Sequence, residues 1–428
     1  MSQRDEVRGP EHPGGIEGVG DGLSPDSETR STRGRPRRLA FFLAALGPGV
    51  IGLVADNDAG GMLSYLVSGA HHVLAWLLPA LLVLGMATLF IQKLALRVAQ
   101  ATHLPYSKAL KRVVGERLVL IEALALYGLN TLILVTEFMG MTLALSLTGL
   151  PVWVSLTGTF LFIVALTGRD VYPRIERFLL WTAVANLAFI PALLWAHQGP
   201  HAVAQVFRVV PSIHPWFLLL AMGGNAIAPW MIYWQQNAVW AGAARTPRQQ
   251  NWDLITGVVA MMVMASVVLI LGSIIPGHEA AWRSPVAWVM TKGGTAAGLL
   301  FAVGLFDAGF LAACTVSLSS LWPLREAFGR GAAHPAEAPN RGRWRYVHLM
   351  TLAVAAAVVL APQLGVGAVA LWAQAAGGLW MPVCLVLLGL VARHRGIMGR
   401  YAIGPATQAA LGVLVAGFVV LAILGTVG

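Results

Sequence analysis

Charge is what this chain has least of. Only 11% of its 428 residues are Asp, Glu, Lys or Arg, against about a quarter in soluble domains, while 57% are hydrophobic. A water-soluble fold has no way to bury so much apolar surface. Acids are scarcer still, 19 against 29 basic residues. The net charge of +10 nevertheless forms no patch interleaved with aromatics, which argues against a nucleic-acid partner. The two cysteines, Cys314 and Cys384, lie inside apolar runs and are too few for a disulfide framework or a zinc site. Short segments of alternating polarity, the mark of a membrane β-barrel, are missing as well.

What the chain does have is long apolar blocks. Val73 to Gln92, Phe178 to Ala196 and Ile255 to Ile275 are each long enough for a helix to cross a hydrocarbon core of about 30 Å. Spans are read at 40–70, 73–96, 118–147, 150–167, 176–196, 214–241, 254–276, 295–322, 345–362, 366–391 and 403–427, eleven in all. The abundance of Gly (47) and Trp (15) fits close helix packing and interfacial anchoring. Alternate linkers carry the basic residues: Arg37 and Arg38; Lys108, Lys111 and Arg112; Arg169, Arg174 and Arg177; Arg245 and Arg248; Arg341, Arg343 and Arg345; Arg393, Arg395 and Arg400. The opposite linkers hold little beyond Arg208, Arg283 and Lys292. The positive-inside rule then predicts a cytoplasmic amino terminus and, with an odd number of spans, an outside carboxyl terminus; the expected location is a bacterial-type inner membrane. Residues 1–38 are polar, rich in Gly, Pro and Ser, and read as a disordered cytoplasmic tail rather than a signal peptide.

Two spans are interrupted. The first reads Gly47-Pro-Gly-Val-Ile-Gly-Leu-Val-Ala55-Asp56-Asn57-Asp58-Ala-Gly60-Gly61 and then resumes as an apolar helix. A charge at bilayer depth costs about 2.5 to 3.5 kcal/mol on insertion scales, so two acids mid-span persist only if they face protein or a cavity. The sixth span repeats the device as Gly223-Gly224-Asn225-Ala226-Ile227-Ala228-Pro229-Trp230. Pro229 lacks the N–H that the carbonyl four residues back would receive. Breaks at matching positions of two five-helix halves predict an inverted repeat with a site at the midplane. Carbonyls at half-helix ends, near Ala55 and Ile227, together with Asp58 and Asp56, are cation ligands by type. Asn57, Asn225 and Gln374 carry amide oxygens suited to holding coordinated water, and Gln374 reads equally as a stitch between helices. Glu137 and Asp307 are further acids inside spans and read as members of a proton or ion path. Asp307 reads equally as a neutral acid hydrogen-bonded between helices.

With these motifs in view, the chain after residue 38 resembles the natural resistance-associated macrophage protein (Nramp) transporters. Asp58-Ala-Gly-Gly61 is similar to the family's Asp-Pro-Gly-Asn, Ala228-Pro-Trp230 to its Met-Pro-His, and Thr136-Glu137 to its Thr-Asp pair. The resemblance implies a leucine-transporter type fold and alternating-access transport of a divalent metal ion as substrate, with no cofactor and no enzyme activity. It also implies a ligand set of Asp, Asn and Met and a proton path through His. Here only Asp58 matches: Gly61 stands for Asn, Ala228 for Met, Trp230 for His, and Gly140 for a second acid. Losing the thioether points away from soft transition metals and toward a hard, partly hydrated ion. This resembles the magnesium-carrying branch, with Mg2+ or Mn2+ the expected substrate. Two rival readings are an amino-acid-like organic solute carrier, whose substrate carboxylate would meet the Gly60 and Gly61 amides, and a non-transporting membrane sensor.

Overall fold

The computed structural model describes residues 48–71, 74–167, 178–196, 215–241, 246–273, 284–328, 342–361 and 365–427. The tail read at 1–38 lies outside the described residues. Among the described residues there is no strand. The first span is two half-helices, α1 (Pro48–Asp56) and α2 (Ala59–His71). There follow α3 (Leu74–Thr102), α4 (Tyr106–Val114), α5 (Glu116–Leu145), α6 (Val152–Thr167) and α7 (Phe178–Ala196), whose middle is 3-10 helix over Ala183–Ala188. The sixth span is again two half-helices, α8 (Pro215–Ala226) and α9 (Pro229–Ala241). The remainder are α10 (Pro247–Gly272), α11 (Pro285–Ala327), α12 (Trp344–Val359), α13 (Val366–Arg393) and α14 (Pro405–Val427). Eight of the described helices, counting α8 and α9 as one, are long and apolar enough to cross a membrane, and α6 and α12 are shorter apolar helices.

Every stretch read as a span from the sequence contains helix, and both expected breaks are present. Two features were not expected. The linker after the second span carries α4, which buries Tyr106, Ala109 and Leu110 and exposes Lys111 and Arg112, an amphipathic pattern too short to stand out beside the spans. The eighth helix begins at Pro285 rather than 295. Its chain turns at Gly294, where φ of 81° requires glycine, so the membrane-crossing part starts where the apolar run does.

The two halves grip each other symmetrically. Asn57, in the first break, donates through Nδ2 to the Met261 carbonyl of α10 at 2.8 Å. Thr88 of α3 donates to the Ala226 carbonyl in the second break at 2.6 Å. Each broken helix is thus bonded to the second helix of the other half, as an inverted 5+5 repeat requires. Bare glycine backbone sets the closest approaches. A Cβ on Gly272 of α10 would fall on the Leu66 backbone of α2, and one on Gly69 of α2 would fall on the Leu269 carbonyl of α10. On the other side, a Cβ on Gly224 of α8 would meet the Gln374 carbonyl of α13.

Gly272→Ala, whose methyl would meet backbone rather than a movable side chain, is expected to destabilise by about 1–3 kcal/mol. Gly128→Ala, at a position with open space around it, is expected to be harmless. Thermal melting of both purified variants in one detergent checks the contrast.

Candidate functional site

The chain leaves α1 at Asp56, runs through Asn57 and Asp58 without helical structure, and enters α2 at Ala59. A new helix needs acceptors for its first N–H groups, and two carboxylates supply them. Asp58 is the N-cap: its Oδ1 accepts the Gly61 N–H in a short hydrogen bond, and its carbonyl accepts the Met62 N–H at 2.8 Å. Glu137 of α5 accepts the Ala59 N–H through Oε2 at 2.8 Å, while its Oε1 lies 3.0 Å from the Thr136 hydroxyl. Gln374 of α13 reaches Asp58 Oδ1 with Nε2 at 2.9 Å. The structure therefore brings Asp58, Glu137 and Gln374 to one point.

The end of α1 is treated in the opposite way. Asp56 sits at a helix C-terminus, where the macrodipole opposes a negative charge. It is 1% exposed, and neither of its oxygens has a hydrogen-bond partner among the described residues. Because the Ala59 N–H is given to Glu137, the Ala55 carbonyl has lost the donor that a continuous helix would provide. No Lys, Arg or His of the described residues forms an ion pair with Asp56, Asp58 or Glu137. Asp58 and Glu137 have structural work as caps, whereas nothing among the described residues accounts for Asp56.

At the second break Pro229 has no N–H for the Asn225 carbonyl, and the Met231 N–H turns to Ala228 at 3.1 Å instead of Ile227. Two carbonyls, of Asn225 and Ile227, are thereby left without their helical donors, while that of Ala228 is occupied. The Asn225 side chain packs against Gly61, where any Cβ would collide with its amide. Tyr65 is its polar neighbour, yet neither amide atom makes a hydrogen bond of normal geometry. Asn57 Oδ1 is also buried and unpaired, its Nδ2 being bound to Met261.

Trp230 is fully buried and stacks edge-on to Trp234 at 6.4 Å between centroids. Trp234 in turn lies against Gly52, locking α9 to α1. Asp307 lies elsewhere: it is hydrogen-bonded by Asn186 of α7 and lines a cavity of about 540 Å3 with Phe162, Phe178 and Trp181, which contains none of the break residues. Both cysteines are free and buried.

Sequence reasoning missed Glu122, although an acid in Val119-Leu-Ile-Glu122-Ala-Leu was visible. It is 2% exposed on α5 and accepts from Trp380 Nε1 at 3.1 Å, Tyr233 Oη at 3.4 Å and Cys384 Sγ at 3.4 Å. Three neutral donors from two other helices solvate it. It also missed Asp253, one residue before the seventh apolar run, whose Oδ1 accepts the Val50 N–H at 3.0 Å and so caps α1.

Comparisons with known proteins agree with this geometry. Crystal structures of the Eremococcus coleocola manganese transporter superpose with a TM-score of 0.70 at 17–18% identity, covering 92–94% of this chain and 87–88% of theirs. MHP1, a nucleobase-cation-symport-1 family transporter, superposes with a TM-score of 0.55 at 12% identity, with 89% of each chain covered. At these identities the likeness speaks for the fold. No curated protein matches by sequence. The family described as natural resistance-associated macrophage protein-like matches residues 49–428, and the chain accordingly belongs to the Nramp family of divalent metal transporters.

Proposed function

We propose that the two breaks hold one hard divalent cation, Mg2+ or Mn2+, partly hydrated, and pass it across a bacterial-type inner membrane by alternating access. The observation that carries this reading is the Asp56 carboxylate, buried without a partner among the described residues next to the Ala55 carbonyl, which has lost its helical donor, as those of Asn225 and Ile227 have at the second break. A cation satisfies all of them at once, and nothing within the described protein does. Asp56 and Asp58 supply charge; the carbonyls of Ala55, Ile227 and Asn225 are direct ligands; and the amides of Asn57, Asn225 and Gln374 hold ion or water. Ala228 contributes by what it lacks, since a methyl leaves room for water where a thioether would select softer ions. Glu137 is engaged as a cap, which makes proton coupling through it weak, and Asp307 stays outside the site, tied to Asn186. The Lys and Arg distribution supports a cytoplasmic amino terminus and an outside carboxyl terminus.

An organic carrier reading requires free N–H groups at the start of α2 for a substrate carboxylate. Those of Ala59 and Gly61 are already taken by Glu137 and Asp58. The protein's own carboxylates thus fill the anion site, which disfavours that reading.

Flux of Mg2+ and Mn2+ into proteoliposomes tests the site. Asp56→Asn is expected to lower transport at least tenfold, about the factor that 1.4 kcal/mol of lost interaction brings, without lowering the melting temperature, because no hydrogen bond is lost. Asp58→Ala is expected to abolish transport and also to cost about 0.5–2 kcal/mol of stability through the missing cap. Wild-type flux in Asp56→Asn at equal protein level would remove the basis of the proposal.

Gly61→Ala is expected to reduce both transport and melting temperature, because its methyl displaces the Asn225 amide. The pair Gly61→Ala with Asn225→Ala relieves the collision and is expected to recover the melting temperature but not ion binding, read by calorimetry. Recovery of both would show that the Asn225 amide does not serve the ion.

Ala228→Met is expected to strengthen Cd2+ and Mn2+ binding relative to Mg2+ and to slow Mg2+ flux, since it adds a soft ligand and removes room for water. An unchanged ranking of the three ions in a folded variant would place residue 228 away from the ion.

A further inference from the structure

At the end of α13 three side chains carrying basic nitrogens, Arg393, His394 and Arg395, line an open cavity of about 610 Å3. All three are exposed, no carboxylate lines the cavity, and neither arginine has an ion-pair or hydrogen-bond partner among the described residues. The cavity continues into a second one of about 300 Å3 that runs along α13 and α14, the two sharing Leu390, Arg393 and Gln408. This extension is apolar apart from those shared residues and is walled by Val386, Gly389, Leu411, Gly412 and Val415. Gly412 has no heavy atom within 4 Å of where a Cβ would stand, so the groove lies open along its length there. Helix α14 fully buries only Leu411 and Phe418, while Val413, Val419, Val420 and Ile423 are exposed apolar side chains.

The walls of the cavity are fixed beforehand. Arg97 of α3 donates to the Tyr401 carbonyl at 2.9 Å and lies 3.4 Å from that of Ala402, and the Ile403 N–H bonds the Ala392 carbonyl at 3.0 Å. The turn between α13 and α14 is therefore tied at both ends. A basic cavity at a membrane edge that opens into an apolar groove between two lipid-facing helices has the two chemistries of one amphiphile: an anionic head and a hydrocarbon tail.

We propose that this bipartite cavity binds one anionic phospholipid, its phosphate on Arg393 and Arg395 and an acyl chain along Val386 and Gly412. The assignment does not depend on the metal site. The arginines supply charge selection and Gly412 supplies room. With the lipid in place, α14, which has few buried side chains of its own, is held to α13 through shared contacts with the acyl chain.

The test is native mass spectrometry of the delipidated full chain in detergent, titrated with phosphatidylglycerol or phosphatidylcholine of the same chain length. Phosphatidylglycerol is expected to bind about thirtyfold more tightly, the factor that two arginines near a membrane surface contribute. The double variant Arg393→Gln with Arg395→Gln is expected to bind the two lipids equally, and the corresponding double Lys variant to keep the preference. Gly412→Leu, which fills the groove and leaves the charge, is expected to weaken phosphatidylglycerol binding severalfold; it and the Lys variant carry the test if the Gln variant does not fold. Glycerol 3-phosphate is the control for a free-anion site. Equal binding of the two lipids by wild type, a preference that survives loss of both arginines, displacement of the lipid by equimolar glycerol 3-phosphate, or no lipid retained because another segment of the full chain fills the cavity would each overturn the proposal.

Discussion

A helix interrupted inside a membrane strands backbone groups that each cost several kcal/mol if left unbonded, and this molecule interrupts two. Its answer is asymmetric. At the start of α2 the orphan N–H groups are taken up by carboxylates the protein provides, Asp58 from the break itself and Glu137 from α5. At the end of α1 and around Asn225 to Ile227 the orphan carbonyls are mostly left bare, and Asp56 adds a bare carboxylate to them. The backbone donors stranded at the start of α2 are satisfied and the stranded carbonyls mostly are not.

Both breaks are shared between the repeats. Asn57 is anchored to α10 and Ala226 to α3, so neither break belongs to its own half alone. Gly69 and Gly272 let α2 and α10 meet backbone to backbone, and Gly224 does the same for α8 and α13. Close approach of this kind, in a solvent that provides little hydrophobic drive between helices, relies on packing of small residues. It brings the two breaks near enough that a side chain of one, Asn225, fills the space beside a glycine of the other, Gly61.

The departures from the family pattern acquire physical content at that contact. Gly61 carries no amide, but an amide stands beside it, contributed from the sixth helix. Ala228 carries no thioether, and its carbonyl is engaged by Met231, so the proposed site is left with oxygen donors of carboxylates, carbonyls and amides. Oxygen-only surroundings suit hard ions that part reluctantly with water. Trp230 and Trp234 fill the volume beside α1 with aromatic surface.

Length, hydropathy and the placement of Gly, Pro and Asp determined the membrane class, the apolar helical stretches and both breaks, because a helix inside hydrocarbon must satisfy its own backbone and a break at that depth needs residues that show in the sequence. Asp56, Asp58, Glu137 and Gln374 were legible for the same reason: polar residues mid-span are expensive. Their division of labour was not. That Asp58 and Glu137 cap α2 while Asp56 has no partner depends on which N–H groups the neighbouring helices present, and no local pattern encodes that. The approach of Asn225 to Gly61, the removal of Asp307 to Asn186, the solvation of Glu122 by three neutral donors and the cavity at Arg393 all join residues tens to hundreds of positions apart. Such contacts are decided by the packing of whole helices, which only the tertiary structure sets.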